Sequence, residues 1–147
     1  EKRALALELG ATAVFDGAAP GWVEAVRAAS KGGLETVCEM AGSIRAFDTA
    51  YRITRRGGTT ITAGLPPPTA SFSLPMVNLV AEERTVKGSY IGTCVPVRDL
   101  PRYITLFQRG RLPVDRLMSG TLKLDEINEG FDRLASGAVV RQIVTFA

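Results

Sequence analysis

Two thiols, Cys38 and Cys94, and no histidine limit the chemistry that this 147-residue chain can carry. Catalytic zinc usually takes at least one imidazole, and structural zinc takes four Cys or His ligands. A Ser-His or Cys-His nucleophile needs the ring as its base. None of these can be assembled here. Two thiols also make no disulfide framework, so the expectation is a reduced, cytoplasmic setting with both cysteines packed or idle. The glycine pairs are the next candidates. A dinucleotide-binding turn places G-x-G-x-x-G after a first strand, so that amides approach the pyrophosphate, with an acidic residue about twenty positions on for the ribose. No such run exists. Gly32-Gly33 and Gly57-Gly58 precede strand-like stretches, and read as turn punctuation rather than phosphate cradles.

The elements that would position any site alternate in type. Glu1 to Leu9 is helical in pattern and ends at Gly10, with no initiator Met, so the chain reads as cut from something longer. Ala11 to Phe15 is strand-like. Trp22, Val23, Val26 and Ala29 recur at helical spacing until Lys31-Gly32-Gly33 breaks the helix. Leu34 to Met40 is a second strand, Ser43 can cap a helix carrying Ile44, Phe47 and Tyr51, and Arg55 to Gly58 ends it. Thr59 to Ala63 is β-branched and strand-like. Strands alternating with helices across short Gly-bearing turns imply an α/β fold on a parallel sheet.

Beyond the stiff Leu65-Pro66-Pro67-Pro68 loop come an apolar stretch at Met76 to Val80 and a strand at Thr85 to Tyr90. A helix follows with Val97, Leu100, Tyr103, Ile104 and Phe107 on one face, ended by Gly110. Met118 to Leu122 is a further strand. Asp125 can cap a helix carrying Ile127, Phe131 and Leu134, and Arg141 to Phe146 closes as a strand. No repeat or linker marks off a second compact unit. With 46% hydrophobic and 22% charged residues, disorder is not expected. The +3 net charge is scattered, without a run of five basic residues, so no nucleic-acid partner is expected. No apolar run reaches bilayer length and no secretory pattern opens the chain, so neither is a membrane.

Six stretches carry a family resemblance: EKRALALELGAT from Glu1, Glu39-Met40-Ala41-Gly42, Ala63-Gly64-Leu65-Pro66-Pro67, TVKGSYIG from Thr85, DEINEGFDRLASG from Asp125, and RQIVTF from Arg141. In this order and spacing they resemble the carboxyl-terminal part of the medium-chain, zinc-type alcohol dehydrogenases, and within them the class III, glutathione-formaldehyde branch. The resemblance implies a partial Rossmann-type parallel sheet, its first two strands missing, with a carboxyl-terminal return toward an absent catalytic domain. Residues 1–110 would be a truncated dinucleotide-binding domain and residues 111–147 the segment that packs on the catalytic domain. The family's glycine turn, acidic ribose ligand and zinc ligands precede the segment matching Glu1. NAD is thus implied with NADP left open, and zinc belongs to the parent only.

The same resemblance nominates cofactor-binding residues, each with a plainer reading beside it. Lys2 matches a basic residue near the adenosine ribose, or is an ordinary exposed lysine. Ala41 matches the position flanking the adenine, or is packing. Ala63, Gly64 and Leu65 match the strand end whose backbone meets the nicotinamide, and a glycine there leaves no Cβ to block approach. Ser89, Tyr90 and Ile91 match the segment whose main chain bonds the carboxamide, although Tyr90 also suits a half-buried strand. Arg141 matches an arginine that forks onto the pyrophosphate, or is a surface charge.

The parent reaction implied is NAD-dependent hydride transfer between an alcohol and the nicotinamide, with zinc polarising the alkoxide. No catalytic residue and no metal ligand is expected in this chain, and alone it would be inactive. Thr85 to Tyr90 matches the edge strand that pairs with its twin in a homodimer. Two alternatives are a zinc-free relative of the quinone-reductase type and a non-enzymatic module assembling through its sheet edge.

Overall fold

A computed structural model describes residues 2–146. They form two compact units, one over residues 3–94 and one over residues 95–146. The sequence holds no linker that announces this division, because the break falls between two ordinary extended residues, Cys94 and Val95.

In the first unit helix α1 (Lys2–Glu8) stops before Gly10, whose φ of 106° only glycine adopts freely. Helix α2 (Trp22–Ala29) buries Val23 and Val26. Strand β1 (Leu34–Glu39) follows, then helix α3 (Ile44–Ile53), strand β2 (Thr54–Thr62), short helix α4 (Met76–Ala81) and strand β3 (Thr85–Gly88). The three strands pair in parallel in the order β1-β2-β3, with β2 central. A core of Val23, Val26, Val37, Ala50 and Ile53, flanked by Phe15 and Trp22, fastens α2 and α3 to the sheet.

Three expectations for this unit are corrected. Ala11 to Phe15 has strand-like composition yet is not a strand, because a strand is defined by pairing and no described residue pairs with it. Phe15 is held by packing instead. Arg55 to Gly58 does not separate α3 from the next strand, since β2 begins directly at Thr54. The Arg-Arg-Gly-Gly run lies inside β2 as a bulge: Leu34 pairs with Thr54 and Thr36 with Thr59, so two steps on β1 (34 to 36) match five on β2 (54 to 59). Gly57, at φ 68°, turns this bulge, and its amide donates to the Glu82 carbonyl at 2.8 Å. Strand β3 is also shorter than expected, ending at Gly88, with Ile91 to Thr93 coiled in a 3-10 turn.

The second unit contains helix α5 (Pro96–Gln108), strand β4 (Met118–Lys123), helix α6 (Ile127–Ala135) and strand β5 (Arg141–Thr145). Strands β4 and β5 pair in parallel across α6, a complete βαβ unit. Asp125 does not cap α6. It lies in a 3-10 turn whose Glu126 carboxylate accepts from the Lys123 amide at 2.7 Å.

Candidate functional site

The site is built on the carboxyl ends of the three parallel strands. Glu39 pairs with Thr62 and Thr62 with Gly88, so the strands finish on one common rung. The ladder continues one step further: the Ala63 amide donates to the Glu39 carbonyl and the Ser89 amide to the Thr62 carbonyl, both at 2.9 Å. Residues 40–42, 63–65 and 89–91 leave this rung side by side. Strand carboxyl ends of such sheets are where ligands sit.

Two glycines make the strand ends flat. A Cβ on Gly64 would lie 2.0 Å from the Gly42 nitrogen, so the two backbones touch directly. Gly42 has φ 67° and is itself pressed against Leu65, a conformation and a contact that both require glycine. The result is a ledge of bare main chain, bordered by Met40, Leu65, Tyr90 and Ile91, which are 67–77% exposed. Apolar side chains held in solvent around a bare backbone floor suit an aromatic ring ligand.

Glu39 holds the ledge together from beneath. It is buried, and its Oε1 accepts from the Ala41 and Gly42 amides at 2.7 Å each. Its Oε2 accepts from the Thr62 hydroxyl at 2.8 Å. Burial alone would raise this carboxyl, but the Thr62 hydroxyl and the amides of Gly42, Ala41 and Ser43 outweigh it and hold the group below the usual glutamate range. Ser43 caps α3 as expected, its Oγ accepting from the Ala46 amide at 3.1 Å.

Beside the ledge opens a cleft of about 520 Å³, lined by Trp22, Cys38, Met40, Ala41, Arg45 and Thr49 among others. Its size falls in the range of ligand clefts. Ala41 thus stands between ledge and cleft. Of the nominated residues, Ala41, Ala63, Gly64, Leu65, Ser89, Tyr90 and Ile91 come together at this sheet end. Lys2 opens α1 and is exposed, and Arg141 opens β5, exposed, in the other unit. Glu39, Gly42 and Thr62 were not nominated, although an acidic residue closing an apolar strand was the available signal for Glu39. Gly32-Gly33 and Gly57-Gly58 lie at or before the amino-terminal part of their strands, and Cβ atoms on Gly33 and Gly58 would meet backbone within 3.0 Å. Gly33 and Gly58 are thus packing glycines, whereas Gly32 and Gly57 have room for a Cβ and serve their turns through positive φ, 117° and 68°.

Residues 1–109 match the family model described as zinc-binding dehydrogenase. The chain belongs to that family. A geraniol dehydrogenase from Castellaniella defragrans is 32% identical over 146 residues, 99% of this chain and 39% of that protein. An alcohol dehydrogenase from Geobacillus stearothermophilus is 33% identical over 144 residues, 98% of this chain and 40% of that one. The structure of benzyl alcohol dehydrogenase from Acinetobacter calcoaceticus superposes with a TM-score of 0.91 at 25% identity, covering 99% of this chain and 40% of that one. This zinc-binding dehydrogenase chain therefore spans about 40% of the length of the relatives it matches. Its parallel α/β architecture is that of their Rossmann-type cofactor-binding domain. Among its described residues no three Cys, Asp or Glu converge to hold a metal ion, so the donor set present here does not fit a zinc site.

Proposed function

We propose that this chain is the cofactor-positioning segment of an NAD-dependent alcohol dehydrogenase. The observation that carries the reading is the Gly42–Gly64 contact on the common strand-end rung, which leaves a bare, apolar-rimmed ledge. Bound there, the nicotinamide would supply a hydride acceptor for the carbon of an alcohol. The chain's part is positional. Main chain at Ala63, Gly64 and Leu65 floors the ring, Ser89, Tyr90 and Ile91 meet the carboxamide, and Ala41 flanks the adenine at the cleft. Lys2 is assigned to the ribose and Arg141 to the pyrophosphate. Zinc, in this reading, is held by residues outside the segment, and the segment by itself has no dehydrogenase activity.

Titration of the full-length protein with NADH, followed by fluorescence, tests the reading. Saturable enhancement is expected, and its absence would overturn it. Parallel titration with NADPH decides which cofactor is preferred. Geraniol, benzyl alcohol and the glutathione adduct of formaldehyde form the first substrate panel, the last because of the class III resemblance.

A homodimer through Thr85 to Tyr90 is proposed on the strength of β3, which among the described strands pairs only with β2 and leaves Val86 exposed. Light scattering is expected to give a dimer, and Val86→Pro a monomer. A dimer unaffected by that substitution would reject this edge as the interface.

A further inference from the structure

Glu39 is the buried group whose full role the ledge geometry does not exhaust. Glu39 is 4% exposed, and its partners are all neutral donors: the Ala41, Gly42 and Ser43 amides and the Thr62 hydroxyl. Among the described residues no Lys or Arg forms an ion pair with it. Neutral donors stabilise an ionised carboxylate without cancelling its charge. In a protein interior that charge acts more strongly than it would in water.

The two redox forms of a nicotinamide cofactor share their pyrophosphate, riboses and adenine. They differ by one positive charge, carried on the oxidised ring. A fixed negative charge beneath the ledge distinguishes them, while everything common to both forms cancels in the ratio of their affinities.

Resting on the cofactor reading above, we propose that Glu39 is a positioning residue with a second, electrostatic role. Its hydrogen bonds hold residues 41–42 against 62–64, and its charge favours the oxidised over the reduced nicotinamide at the ledge. The two roles are separable by substitution. Glu39→Gln keeps the size and loses the charge, whereas Glu39→Asp keeps the charge and shortens the reach to Thr62 and the amides.

The test measures dissociation constants of NAD+ and NADH for the full-length protein and both variants, together with the melting temperature without cofactor. In Glu39→Gln the ratio Kd(NADH)/Kd(NAD+) is expected to fall about tenfold, the size of effect that one partly screened unit charge gives in a protein interior. Tenfold corresponds to about 30 mV in the bound two-electron couple. Glu39→Asp is expected to melt earlier but to keep the wild-type ratio. A purely structural role would lower stability in both and leave both ratios unmoved, and that result overturns the proposal. Should Glu39→Gln fail to fold, Glu39→Asn against Glu39→Asp gives the same charge contrast at a shorter reach, and equal ratios in that pair overturn it equally. Wild-type protein that binds neither form would instead refute the cofactor reading itself.

Discussion

The backbone nitrogen of Gly42 occupies the space that any side chain on Gly64 would need: a Cβ built there would sit 2.0 Å from it and 2.5 Å from the Gly42 Cα. Neither atom can swing aside as a side chain can, because both belong to main chain locked by Glu39. Gly64→Ala is therefore expected to lower stability by about 2 to 3 kcal/mol, at the upper end of overpacking costs. A urea midpoint measures this, and cofactor affinity is expected to fall with it. A Gly64→Ala protein as stable as wild type would show that the two loops do not touch.

The stability of the first unit should carry the signature of Glu39 in acid. Its carboxyl is lowered in the folded protein, so the ionised form is favoured by folding. For a lowered carboxyl the contribution is fully present above the unfolded value and is lost as pH falls through the folded one. Denaturation from neutral pH downward should show that loss below the usual glutamate range. In Glu39→Gln the acid limb should be flatter, and an identical limb in both proteins would contradict the assignment.

Thr54 and Thr60 are wholly buried and share one hydroxyl–hydroxyl bond of 2.8 Å. Thr54 also donates to the Ala50 carbonyl at 2.7 Å, so in the shared bond Thr60 is the donor. Thr60→Val is expected to cost about 1 kcal/mol, and Thr54→Val about 2, since the latter strands the Thr60 hydroxyl. The double substitution should cost less than the sum of the two. Chemical denaturation of the three variants checks the order, and strict additivity would count against the bond.

Arg84 lies with its guanidinium 4.6 Å over the Tyr51 ring, pairs with Glu82 at 2.6 Å, and donates to the Tyr51 carbonyl. The buried Tyr51 hydroxyl has no hydrogen-bond partner among the described residues, and the Arg84 Nε, although ion-paired with Glu82, also lacks hydrogen-bond geometry. Tyr51→Phe should thus raise stability by about 1 kcal/mol, since it removes an unpaired buried group and keeps the ring. Arg84→Met should lower it by about 2 kcal/mol, because it leaves Glu82 and the Tyr51 carbonyl without their cation. Thermal melts of both variants test the pair of signs.

The legible parts of this chain were those governed by local chemistry. The helical spacing of Trp22, Val23 and Val26, the Ser43 cap and the positive-φ stop at Gly10 all depend on near neighbours, and all were readable in sequence. Ala11 to Phe15 misled because pairing, not composition, makes a strand. Arg55 to Gly58 misled because a breaker motif inside a ladder produces a bulge as readily as an end. Ser43 was found and Glu39 was not for the same reason. A cap follows a residue preference three positions from its target, while Glu39 joins two equally local amide bonds to a hydroxyl on the neighbouring strand, Thr62, and that pairing is visible only in the fold. Motif resemblance supplied Ala63, Gly64 and Leu65, and physical pattern alone would have stopped at an α/β sheet.

The bulge in β2 separates the two ends of the sheet mechanically. Three extra residues lie between Thr54 and Thr59, while Thr59 to Thr62 stay in register with both neighbouring strands. The bulge is itself pinned, by the Gly57 amide on the Glu82 carbonyl and by the buried Thr54–Thr60 bond across it, so the register is fixed before it reaches the common rung of Glu39, Thr62 and Gly88.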